Sequence, residues 1–215
     1  MTFLVILFLL SSNLRSSKGI TLADYYRKFA AQFIAATRGV DMSDAQERFH
    51  EALPRLNSPR ILDAGSGSGR DSLAFRLAGH RVEAFDASPE MVAATEAFAG
   101  VPTRLMRFEE FEWDHEFEGI WACASLLHVA MVDLPLVLDK LAFRLVTDGV
   151  IYLSFKLGTG ERTKDGRRFT DMTEESLRKI LDRTAGLTQF QVWRSHDRRP
   201  DKASEMWLNA LVKKA

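Results

Sequence analysis

The residues best suited to chemistry lie in one stretch, residues 60–88, RILDAGSGSGRDSLAFRLAGHRVEAFDAS. A short apolar run, Ile61 and Leu62, ends in Asp63, and three glycines follow at alternate positions: Gly65, Gly67 and Gly69. After a helical stretch, a second apolar run ends in Asp86. Glycine permits a sharp turn from strand to helix and leaves no Cβ to hold a ligand off the backbone. A helix beginning near Arg70 would aim its unpaired N–H groups at whatever rests on that turn. Asp86 follows Gly65 by 21 residues, close to the ~20-residue offset at which an acid on the second strand tip reaches ribose hydroxyls. Such a β-α-β unit suits a nucleoside-like cofactor.

Which cofactor it suits is decided by neighbours of the glycines. A dinucleotide G-x-G-x-x-G turn read from Gly65 needs Gly or Ala at position 70, where this chain has Arg70. Asp63, just ahead of the turn, is a poor neighbour for a pyrophosphate and a good one for a ligand carrying an amine and a sulfonium. The run DAGSGSG at residues 63–69 resembles motif I of the class I S-adenosylmethionine (SAM) methyltransferases. The resemblance covers residues 21–215. Its finer motifs (DAGSGSGRDS, FDASPEM, GIWACASLLHV, YLSFKLGTGER, GRRFTD and WLNAL) are similar to those of small bacterial methyltransferases related to the tellurite-resistance methyltransferase.

The resemblance implies an α/β fold, with a Rossmann-like seven-stranded sheet, helices on both faces and N-terminal lid helices. It divides the chain into an extension at 1–20, lid helices at 21–56 and a methyltransferase core at 57–215. SAM is the implied cofactor. Its implied contacts are Tyr25 at the carboxylate, Asp63, Gly65, Ser66, Gly67 and Gly69 at the turn, and Asp86, Ala87 and Ser88 at the second strand tip. Met91 and Phe108 would line the adenine, Glu109 would meet its amino group, and Ala124 and Ser125 would border the methyl group.

Elements are expected as follows. Leu22, Tyr25, Tyr26, Phe29, Phe33 and Ile34 recur at helical spacing from Thr21, and a second amphipathic helix spans about 43–53. Ser88, Pro89 and Glu90 read as the start of a helix. A third strand is expected at 103–108, a fourth at 117–125 and a fifth at 149–157, with a helix at 134–145 between the last two. Residues 158–176 form a charged stretch with Asp165-Gly166 as a turn. Its Arg162, Lys164, Arg167 and Arg168, with Arg194, Arg198 and Arg199, could gather an anionic small molecule over the pocket. Glu161, Asp165 and Asp171 interleave with them, and a solvated loop is the expected reading. A helix at 174–183 and two strands near 189–195 and 205–213 complete the set.

Composition narrows the rest. Lys plus Arg equals Asp plus Glu at 29 each, so no global field draws nucleic acid or an anionic membrane. The single cysteine, Cys123, sits in an apolar run and reads as an inert core thiol; no metal site is expected. A reducing, cytoplasmic setting follows. The eight apolar residues at 3–10 fall short of the ~20 that span a bilayer. With Arg15 and Lys18 behind them and no A-x-A site, they read as an N-terminal extension rather than a signal or anchor.

Methyl transfer from SAM is an in-line displacement that needs orientation more than proton chemistry. His128, just past the fourth strand, is the candidate general base for an acceptor that arrives protonated. Enzymes that methylate bases or glutamine side chains commonly carry an Asn/Asp-Pro-Pro-Tyr sequence where this chain has ASLLHV. A small-molecule acceptor is therefore expected, such as a thiol or reduced chalcogen, and no nucleic acid. The alternative is a SAM-binding protein without turnover.

Overall fold

The computed structural model describes residues 22–184 and 186–215. The expectation for the N-terminal extension lies outside them. Two helices come first, α1 (Leu22–Thr37) and α2 (Ser43–Ala52). Then β1 (Arg60–Ala64), α3 (Arg70–Leu77), β2 (Arg81–Asp86), α4 (Pro89–Ala99) and β3 (Thr103–Leu105) alternate. The chain continues through β4 (Phe117–Ala122), α5 (Leu134–Phe143), β5 (Leu145–Lys156), β6 (Gly160–Lys164), β7 (Arg167–Asp171), α6 (Glu174–Leu181), β8 (Leu187–His196) and β9 (Met206–Lys214).

Seven strands form one sheet in the order β3-β2-β1-β4-β5-β9-β8. The first five run parallel, and β9 is antiparallel to both β5 and β8. The order reverses between β1 and β4, which puts a crevice at their carboxyl ends. β1 is central and covered on both faces, so Ile61, Leu62 and Ala64 are fully buried. Two apolar clusters flank the sheet. Leu62, Phe85 and Ile120 pack with α5 and α6 on one face. On the other, Ile61 packs with Phe49, Phe75 and Trp121, whose ring stacks on Tyr152 at 3.9 Å.

The local signals account for where elements begin and end. Ser88 caps α4 by accepting from the Met91 amide at 3.4 Å, Pro89 takes its first position, and Gly100 closes it at φ 62°. On the outer edge, His50 Nδ1 and His80 Nε2 lie 3.0 Å apart and pin α2 against the segment leading into β2. No described helix is long and apolar enough to cross a membrane.

Several boundaries differ from expectation. β3 stops at Leu105, and residues 108–110 form a 3-10 turn because Met106 and Phe108 swing in toward the crevice. β4 stops at Ala122, where Ala124 takes a left-handed φ of 54° and ends the strand. α5 ends at Phe143, so that β5 begins at Leu145 and runs to twelve residues. The larger correction is the charged stretch. It is an antiparallel hairpin, β6–β7, turned by Asp165 (φ 52°) and Gly166 (φ 74°), the two positive-φ residues of a type I′ turn.

Candidate functional site

A cavity of about 940 Å³ opens at the carboxyl ends of the central strands. The glycine turn forms one wall. Gly65, Gly67 and Gly69 all have positive φ (81°, 55° and 77°), where a side chain is strained. A Cβ on Gly65 would lie 2.5 Å from that of Ser125, and one on Gly69 would meet the Thr95 backbone at 2.9 Å. Gly69 is therefore a packing glycine that lets α4 approach α3. It does not line the cavity.

The turn's amides are largely spoken for. Gly65 N and Ser66 N both donate to Phe85 O, at 2.9 and 3.1 Å, and Gly67 N donates to Asp86 Oδ2 at 2.9 Å. Asp86 Oδ1 accepts from Ser88 N at 2.9 Å. The turn thus spends these three amides on β2. Asp86 still lines the cavity, and burial pushes its carboxyl up to about 6. Asp86 so held can accept ribose hydroxyls, and the three occupied amides are not free to hold a phosphate.

The candidate residues divide by position. Tyr25, Gly65, Ser66, Gly67, Asp86, Ala87, Phe108, Ala124, Ser125 and His128 line the cavity. Asp63, Gly69, Ser88, Met91 and Glu109 do not. Asp63 is buried beneath the turn, accepts from Ser72 Oγ at 2.5 Å, and has its pKa raised by burial and by Asp71. Met91 is core. Glu109 is exposed, because the 3-10 turn after Arg107 rotates it outward to pair with that arginine at 3.4 Å.

The acid that does face the cavity beside β1 is Asp71, which the sequence reading passed over. It accepts from Arg70 at 2.9 and 2.6 Å, from Gln46 Nε2 at 2.7 Å and from Trp121 Nε1 at 2.9 Å. Burial opposes its charge, but Arg70 and these donors outweigh burial and hold the carboxyl below its usual range. Arg70 also donates to Thr37 O at 3.3 Å, and Arg38 donates to Ser68 O at 3.2 and 3.3 Å. Two arginines thus pin the end of α1 to the turn and form the roof. The residue that excludes a dinucleotide turn has become a strut.

His128 sits in a 3-10 turn, Leu126–His128, against the hairpin. With the Arg168 carbonyl as its only choice of role, Nδ1–H donates to that oxygen at 2.7 Å, which leaves Nε2 unprotonated. Burial drives its pKa down to about 4, so the imidazole is neutral at pH 7 and a feeble base. The hairpin is further held by Thr170 Oγ1 donating to Val129 O at 2.7 Å and Met131 N donating to Glu161 at 3.1 Å. Cys123 also borders the cavity, but burial pushes its thiol up to about 12. Among the described residues no group of three or more His, Cys, Asp or Glu could hold a metal.

At the far end, Lys156 pairs with Asp197 at 2.8 Å and with Glu205, under the Trp207 ring. Arg199 grips Asp197 through two nitrogens at 2.9 and 2.7 Å, and Trp207 Nε1 donates to it at 3.0 Å. These residues come from β5, β9 and the segment after β8, and no spacing in the sequence links them.

A family described as a methyltransferase domain matches residues 26–197. The chain belongs to that family. Its fold is similar to that of 1,6-didemethyltoxoflavin-N1-methyltransferase from Burkholderia thailandensis, at TM-score 0.68 and 24% identity over 89% of each chain. That enzyme was solved with 1,6-didemethyltoxoflavin and S-adenosylhomocysteine bound. It is similar also to magnesium protoporphyrin IX methyltransferase from Synechocystis PCC 6803, at TM-score 0.66 and 16% identity, over 90% of this chain and 98% of that one. That structure holds S-adenosylhomocysteine. A third similar fold is the CcbJ methyltransferase from Streptomyces caelestis, at TM-score 0.65 and 16% identity, over 92% of this chain and 97% of that one. No curated protein matches the chain.

Proposed function

We propose that this methyltransferase-family chain uses SAM and transfers its methyl group to a small-molecule acceptor by in-line displacement. The observation that carries the reading is the glycine turn whose amides are taken up by Phe85 O and Asp86, leaving a carboxylate on the cavity wall. That wall suits ribose hydroxyls and a cationic centre, and it is hostile to a pyrophosphate.

SAM, when bound, supplies a methyl group on a sulfonium. The chain's own residues orient it. Asp86 accepts ribose hydroxyls, and Gly65, Ser66 and Gly67 present bare backbone. Phe85 and Phe108, edge to face at 5.0 Å, flank the adenine with Ala87. Ala124 and Ser125, the latter fixed to the β1 tip by donating to Ala64 O at 2.6 Å, border the methyl group. Tyr25 lies in the roof. Asp63, Gly69, Ser88 and Met91 act one layer below, by holding the turn and α4 in place. His128 orients the acceptor through Nε2 as a neutral hydrogen-bond acceptor, so the reaction relies on a nucleophile that needs little help in losing a proton. A thiol or reduced chalcogen meets that requirement. The kinship with the tellurite-resistance group rests on the sequence motifs and agrees with it.

Calorimetric titration with S-adenosylhomocysteine, with NAD as control, tests the reading. Saturable binding of the first and none of the second is expected. Binding of NAD alone would replace methyl transfer with hydride transfer.

A further inference from the structure

The hairpin brings one cation into the cavity on unusual terms. Arg167 opens β7, its side chain is only 14% exposed, and it lines the cavity. Its guanidinium lies over the Tyr25 ring at 3.7 Å and faces Phe169 at 5.2 Å. The guanidinium also meets the Tyr26 hydroxyl, but its Nε is buried and, among the described residues, has no hydrogen-bond partner. The nearest carboxylate, Asp165 at the hairpin tip, is 3.9 Å away and 60% exposed. The neighbouring cations differ. Arg162 makes two bonds to Asp171, at 2.6 and 3.1 Å, and Arg168 makes one to Glu161 at 3.1 Å. A buried donor without an acceptor carries a desolvation penalty that a bound anion would remove.

We propose that Arg167 is the receptor for an anionic group, of carboxylate type, on the methyl acceptor. The proposal rests on the methyltransferase reading and narrows its substrate class. Two ligands could bring a carboxylate here: the acceptor, or the amino-acid end of the cofactor. Position favours the acceptor. Arg167 stands on the hairpin that carries Phe169 and whose Arg168 carbonyl holds His128, past the β4 tip, whereas the cofactor wall runs from Gly65 to Asp86. The planar fork, stacked on one aromatic ring, is pre-oriented for two parallel bonds to a carboxylate.

The test follows the Arg167 Nε–H resonance by NMR in protein loaded with S-adenosylhomocysteine, assigned by its loss in Arg167→Lys. Benzoate is titrated in, with benzamide as its neutral match. A saturable shift with benzoate and none with benzamide is expected. Arg167→Gln should weaken benzoate binding about tenfold or more, with Arg167→Lys between Gln and wild type. S-adenosylhomocysteine affinity, read by calorimetry, should fall far less than benzoate affinity in either variant, and circular dichroism reports that the fold is kept. Three results would overturn the proposal: no shift with benzoate, equal shifts with both probes, or a loss of S-adenosylhomocysteine affinity in Arg167→Gln that Arg167→Lys restores. The last would give the guanidinium to the cofactor. Failure of the wild type to bind S-adenosylhomocysteine at all would instead strike the methyltransferase reading.

Discussion

The two ends of the cavity are built from different materials. At the glycine turn the polar groups are backbone amides, the Phe85 carbonyl and the short side chain of Asp86, held by β1, β2 and each other. At the hairpin end they are long side chains: Arg162 and Arg167 on a two-stranded ribbon, Arg199 on the segment between β8 and β9, and Lys156 at the end of β5. The first construction is rigid and indifferent to the acceptor. The second is a set of side-chain ion pairs, several of them on the ribbon rather than on the sheet. On the proposed reading, the turn would set the cofactor and the hairpin end the acceptor.

The sharpest way to break the comparison is at the turn. Gly67→Leu places a side chain at φ 55°, against the Phe33 ring 3.4 Å from the new Cβ. S-adenosylhomocysteine affinity should fall by about 3 kcal/mol, roughly a hundredfold, while circular dichroism still reports the fold. Normal affinity would mean that the ligand does not rest on this turn. At the other end, Asp197→Ala strips Lys156 and Arg199 of a shared partner, and stability should drop by about 3 kcal/mol in urea unfolding. Cofactor affinity should hold; its collapse would show that the two ends are one unit.

Asp86→Ala should weaken S-adenosylhomocysteine binding by about 1.5–3 kcal/mol through loss of charge-assisted bonds. Because the carboxyl titrates near pH 6 in the free protein, its pH dependence has a definite sign. A folded-state pKa above the unfolded value means the group favours folding most when protonated, and that contribution fades as pH rises through about 6. Ligand hydroxyls need the ionised form, so affinity should climb with pH up to about 6 and then level off. Asp86→Asn should flatten that curve. The smallest effect is expected at His128. With its pKa near 4, His128→Ala should cost about tenfold in kcat/KM, at or below the low end of general-base effects, with no limb in the pH profile near 6.5. A loss of a thousandfold would restore it as the base.

Much of this was legible beforehand, and the exceptions share a cause. The glycine turn, Asp86, the caps of α4 and the antiparallel final pair are local signals, and each appears where the residues place it. Asp63 lies beneath the turn while Asp71 borders the cavity, because sequence gives the distance along the chain but not the side of the turn on which a carboxylate emerges. Glu109 moved out with a 3-10 turn that a strand pattern conceals. The hairpin was read as a loop because its charges drowned the alternation of Arg167, Arg168, Phe169 and Thr170 and the Asp-Gly pair at its tip. Arg70 was noticed for what it forbids; its grip on α1 depends on contacts between distant segments.

The struts that fasten α1 also set an order of events. Its Thr37–Arg38 end is bolted to the glycine turn by Arg70 and Arg38, whereas its Tyr25–Arg27 end meets the hairpin through Tyr25 and Tyr26 against Arg167 and meets α4 through Arg27 and Glu90. Such a helix is fastened by hydrogen bonds beside the glycine turn and by ring contacts and a long ion pair at the end beside the hairpin. On the proposed reading, with the cofactor at the glycine turn and the acceptor at the hairpin, the hairpin side should open first, so the methylated product should leave first and the spent cofactor last. Product-inhibition kinetics would then show S-adenosylhomocysteine competing with SAM and the methylated product competing with neither.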